Sequence, residues 1–131
     1  MIVVDSSVWI DYFRAKETTA TRFLRTSSIE SHILIGDVIL LEVLQGAEND
    51  RHAYRMESWL RSFRIQGMAG ANLAVAASRN YRILRAKGIT IRKTVDLIIG
   101  TFCIEHGHSL IHQDRDFNPM SEHLGLKIVE T

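Results

Sequence analysis

Apolar positions along this chain fall into two kinds of run. Short blocks of β-branched and aliphatic residues predict buried strands, and longer stretches with apolar positions three and four apart predict helices. Ile2-Val3-Val4 opens the chain as a strand buried on both faces. Ser7–Arg14 follows as a short helix with Val8, Trp9, Tyr12 and Phe13 on its apolar stripe. Thr18 or Thr19 starts a second helix that runs to about Ser28 with Phe23 and Leu24 inward. His32–Ile35 is the next strand, and Asp37 stands as the N-cap of the helix after it. That helix, Val38–Gly46, is apolar on almost every side and should be largely buried. Asn49–Phe63 is amphipathic, with Met56, Trp59, Leu60 and Phe63 at core-facing spacing. Arg64-Ile65-Gln66 reads as a short strand or an extended linker. Gly70–Lys87 is a long helix with Leu73, Ala77, Tyr81 and Leu84 along one side, closed by Gly88. Thr94 can cap a further helix, apolar nearly all round, that Gly107 ends. Ser109–His112 reads as another buried strand, Pro119 and Gly125 mark a last loop, and Lys127-Ile128-Val129 can form an edge strand. Helices alternating with short strands predict an α/β sandwich with a mainly parallel sheet of four or five strands.

Composition narrows this little. The 131 residues, 46% hydrophobic and 24% charged, fit one soluble globular domain spanning 1–131. No apolar run reaches the roughly 20 residues that cross a bilayer, and no basic leader with a cleavage site precedes the first strand. The lone Cys103 excludes a disulfide framework and points to a reducing cytoplasm. With 16 basic and 15 acidic residues the net charge is +1, far from a general nucleic-acid binder. The Arg79, Arg82 and Arg85 series, spaced by three, is by default a solvated helix face. It gains meaning as a phosphate-tracking surface only beside a nuclease site.

The acids change the picture. Asp5 follows the first strand directly, where open α/β sheets place their ligands, although it can equally be a helix cap. Asp114 and Asp116 follow a late strand in the same way. Asp96 stands in the first turn of a helix, where the dipole favours a negative charge, and Glu42 interrupts a greasy helix. In a parallel sheet both strand ends and the start of the Asp96 helix can meet at one edge. Crowded carboxylates stay ionised only when a cation neutralises them, and all-oxygen ligation suits Mg²⁺ or Mn²⁺. Metal-assisted phosphodiester hydrolysis is the chemistry such a site supports. No phosphate-binding glycine loop and no nucleophile elbow accompanies it.

Four stretches in this order, Val-Asp-Ser-Ser-Val-Trp-Ile, Leu-Leu-Glu-Val-Leu-Gln-Gly, Thr-Val-Asp-Leu-Ile-Ile-Gly and His-Gln-Asp-Arg-Asp-Phe, resemble the PIN domain. More narrowly, the chain is similar to the VapC toxins of bacterial VapBC toxin–antitoxin pairs. The resemblance implies a three-layer α/β/α fold and an Mg²⁺- or Mn²⁺-dependent endoribonuclease in which an activated water attacks the phosphodiester. By the same resemblance Asp5, Asp96, Asp114 and Asp116 would hold the metal, Glu42 would orient or deprotonate the water, and Ser7 would support Asp5. It also implies a homodimer, a cognate VapB-type antitoxin, and structured RNA such as tRNA or rRNA as substrate. A PIN-like module that has lost catalysis and binds RNA or protein is the alternative, and a DNA-directed nuclease would share the chemistry.

Overall fold

The computed structural model describes residues 1–131. Five strands form one sheet: β1 (Ile2–Val4), β2 (Ile33–Gly36), β3 (Arg64–Gln66), β4 (Ser109–Ile111) and β5 (Lys127–Ile128). Their order is β3-β2-β1-β4-β5, and every pairing is parallel. Central β1 is held on both sides, with Val3 opposite Leu34 and also opposite Leu110. Val3, Val4, Leu34, Ile35, Leu110 and Ile111 are completely buried, as the unbroken apolar runs require of strands covered on both faces.

Four helices lie between β1 and β3: α1 (Ser6–Phe13), α2 (Thr19–Thr26), α3 (Asp37–Gln45) and α4 (Asp50–Leu60). Three more follow, α5 (Ala71–Ala86), α6 (Thr94–His106) and α7 (Asn118–Leu124). The chain moves outward from β1 to β2 to β3, then returns across the sheet to β4 and β5. Right-handed crossovers therefore put α1–α4 on one face and α5–α7 on the other, giving three layers. On the first face Trp9 lies at the centre of an aromatic cluster, 5.5 Å from Trp59 and 5.7 Å from Phe63 between ring centroids. On the second, α6 is buried from Asp96 to Cys103 except at the half-buried Ile98 and packs on α5, where Asn80 donates to the Thr101 hydroxyl at 3.1 Å.

Four local readings of the sequence differ from the fold. Helix α3 is not buried all round: Ile39 and Val43 face the core, while Leu41 is 62% exposed. Asp37 is the first helical residue, with Gly36 as the cap, and its Oδ1 accepts the Val38 and Met68 backbone N–H groups at 2.8 and 2.9 Å. That tie between the end of β2 and the exit of β3 spans 31 residues and has no local signature. Thr94 does not cap α6; Lys93 occupies that position without a side-chain hydrogen bond. The segment from Pro119 to Gly125 is mostly helix α7, with proline in the first turn and Gly125 as the left-handed closing residue at φ +78°.

Candidate active site

The strand order reverses between β1 and β4, which makes the crevice beyond their carboxyl ends the expected ligand site of an open parallel sheet. Asp5 extends the ladder there, its backbone N–H donating to the Ile111 carbonyl at 2.9 Å. The residue is both of the things the sequence allowed. As N-cap of α1, its Oδ2 accepts the Ser7 hydroxyl at 2.6 Å and the Ser7 N–H at 3.3 Å. Its Oδ1 is buried and has no partner.

Asp114 divides its work in the same way. One oxygen caps the turn at Arg115–Phe117 by accepting the Asp116 N–H at 2.9 Å. Its carboxylate, with those of Asp96 and Asp116, presents oxygens that all lie within 4.8 Å of one another. Asp96 arrives from the opposite helical layer on the first turn of α6, only 6% exposed, and its Oδ2 is a second buried oxygen with no partner. Asp5 and Glu42 stand outside that trio but near enough for their charges to act on Asp96.

The electrostatics follow from this crowding. Burial pushes the Asp96 carboxyl up to about 6, and the charges of Asp5, Asp114 and Glu42 add to the rise while Lys93 opposes it. Burial also raises Asp5 above the ordinary carboxylate range, against the pull of the Ser7 hydrogen bonds. His112 packs on Phe117 at 5.1 Å, its Nδ1 buried and unpaired, and burial holds the ring below the usual histidine value. Two buried carboxylate oxygens, Asp5 Oδ1 and Asp96 Oδ2, have no donor, and neighbouring acids press on Asp96, so the arrangement could hold a hard cation.

Glu42 projects from α3, half-buried, and its Oε1 accepts the Ser6 hydroxyl at 2.7 Å. Sequence reasoning missed this bond. Two consecutive hydroxyls after Asp5 were the available signal; Ser7 supports Asp5 as expected, and the fold alone assigns Ser6 to Glu42. Gln113, where the PIN resemblance more often has Thr or Asn, makes a second cross-link: its amide donates to Asp11 on α1 and, at 3.4 Å, to the Ser7 carbonyl. It tethers the loop carrying Asp114 to the helix that Asp5 caps.

The profile of the PIN domain matches residues 2–122. The chain belongs to the PIN-domain family. Among curated PIN-type relatives it is 32% identical to VapC ribonuclease Mb1587 of Mycobacterium bovis over 120 residues, covering 90% of each chain. Ribonuclease VapC11 of Mycobacterium tuberculosis matches to the same extent. Solved structures share the PIN architecture at lower identity. A FitAB complex bound to the IR36 DNA fragment superposes with a TM-score of 0.78 at 18% identity, over 98% of this chain and 94% of that one. VapBC2 from Rickettsia felis bound to a promoter DNA fragment gives 0.75 at 14% identity, over 98% of both. The all-parallel five-stranded sheet between helical layers is thus the PIN-like α/β fold that the sequence pattern and the four acidic stretches led us to expect.

Proposed function

We propose that this protein is a divalent-metal-dependent endoribonuclease and the toxin of a type II toxin–antitoxin pair. One observation carries the reading: the carboxylates of Asp96, Asp114 and Asp116 meet within 4.8 Å, Asp5 and Glu42 act on Asp96 by their charge, and two buried oxygens, Asp5 Oδ1 and Asp96 Oδ2, have no partner. A module that only binds RNA or protein gains nothing from mutually repelling buried acids, whose cost a catalytic role explains.

Asp5, Asp96, Asp114 and Asp116 would hold the ion, and their all-oxygen donor set fits Mg²⁺ or Mn²⁺. When bound, such an ion supplies Lewis acidity toward a phosphodiester oxygen and a water. The protein's own groups do the rest. Ser7 keeps Asp5 in one rotamer by two hydrogen bonds, and the Gln113 tether keeps Asp114 beside it. Glu42 orients the attacking water and takes its proton on the carboxylate. Lys93, exposed at the start of α6 and felt by Asp96, adds positive charge where an RNA phosphate approaches.

Kinship with ribonucleases of the VapC type supports RNA as the substrate, structured RNAs such as tRNA or rRNA being the expected targets. The VapBC and FitAB complexes among the structural neighbours support a VapB-type antitoxin as partner, and we take the working form to be a cytoplasmic homodimer. No helix is long and apolar enough to cross a membrane. Sequencing RNA ends after brief expression tests the proposal. Discrete new ends with the wild type, absent with Asp5→Ala, are expected; identical end profiles for the two proteins would refute it.

A further inference from the structure

Ser6 is the first residue of α1 and is buried, yet its hydroxyl makes no bond to the helix terminus, which Asp5 already caps. Its Oγ instead reaches across to α3 and donates to Glu42 Oε1 at 2.7 Å, over 36 residues of sequence. Ser7 turns its hydroxyl to Asp5. Successive helical residues point about 100° apart, so neighbouring serines can serve different carboxylates. Asp5 has a second donor in the Ser7 N–H, but Ser6 is the one hydrogen-bond partner of Glu42. A glutamate has three rotatable side-chain bonds and α3 leaves this one half-exposed. An O–H···O⁻ bond of this length is of the strong, charge-assisted kind that selects one rotamer. With Oε1 occupied, Oε2 is the oxygen left for a water.

We propose that Ser6 is a positioning residue of the cleavage reaction, acting through Glu42 by fixing the carboxylate that receives the water's proton. This rests on the nuclease reading above. The loss caused by removing the hydroxyl should therefore depend on Glu42 and leave metal binding alone.

The test is a double-mutant cycle on the purified full-length protein. Ser6→Ala, Glu42→Gln and the double variant are compared in single-turnover cleavage of a quenched fluorescent RNA pool with Mn²⁺, alongside Mn²⁺ calorimetry. Ser6→Ala should lose roughly 10- to 100-fold in rate at saturating RNA, part of what a positioned general base contributes. KM and the Mn²⁺ dissociation constant should stay within about twofold, and the serine effect should shrink to about twofold or less in the Glu42→Gln background. Ser6→Cys, close in volume and a weaker donor, should fall between serine and alanine, and it stands in if the alanine variant does not fold. Equal losses in both backgrounds, or an undiminished rate in Ser6→Ala, overturn the positioning role and leave the nuclease reading intact. A wild-type protein that binds Mn²⁺ yet cleaves no RNA overturns both.

Discussion

Replacing Asp96 by asparagine should make the metal-free protein more stable while abolishing cleavage. The carboxyl holds its proton more tightly in the fold than in the unfolded chain, at about 6 against 3.8. Its contribution therefore favours the fold fully below pH 3.8 and is lost as the pH rises through about 6. That difference corresponds to about 3 kcal/mol as an upper bound at pH 8, because salt and water screen part of it. Asparagine keeps the volume and carries no charge, and its amide can donate to the neighbouring acids. At pH 8 in chelator and low salt, Asp96→Asn should melt higher than wild type by as much as about 10 °C for a domain of this size. The gap should close toward pH 4. Mn²⁺ at about 1,000 times its dissociation constant should reverse the order, since it adds about 4.1 kcal/mol to the protein that binds it. Thermal melts across pH with chelator or Mn²⁺ read all of this directly. A variant no more stable than wild type at pH 8 in chelator would refute the electrostatic argument, and one that Mn²⁺ still stabilises fully would refute the ligand assignment.

Two further predictions concern the scaffold. Thr18 and Thr21 form a reciprocal capping box at the start of α2, so Thr18→Ala should cost about 1 kcal/mol in thermal or urea unfolding and leave RNA cleavage unchanged. The Cys103 thiol is fully buried and pushed up to about 12 by burial; a thiol-reactive disulfide reagent at pH 8 should label it only at the rate of unfolding, and rapid labelling of the folded protein would contradict the packing of α6.

Much of this could be read from residues near one another in sequence. The strand Ile2–Val4 and the buried helix around Asp96 announce themselves because a segment buried on every side has nowhere to put polar residues. The same logic overreached at α3, where an apolar circumference turned out to include the exposed Leu41; pattern reports what can be buried, not what the neighbouring layer covers. Helix α7 was hidden because seven residues give barely two turns of periodicity, and its Pro119 and Gly125 mark helix ends as readily as a loop. The acids were visible as candidates, yet the Ser6 bond to Glu42, the Gln113 tether and the Asp37 bond to Met68 all join segments 31 to 106 residues apart. No local rule encodes such contacts.

The strand order has a consequence for when the protein becomes active during its own synthesis. β1 is synthesised well before it is flanked on both sides, because its partner β4 begins at Ser109, opposite Ile2. Until that partner emerges, Asp5 lies on an open sheet edge and the Asp114 side of the cluster does not exist. Nascent or truncated chains ending before Ser109 should therefore show no cleavage activity, since long-range pairing forms only once the later strand is present. For a protein that would cleave the cell's own RNA, the delay separates translation of the chain from the onset of its toxicity.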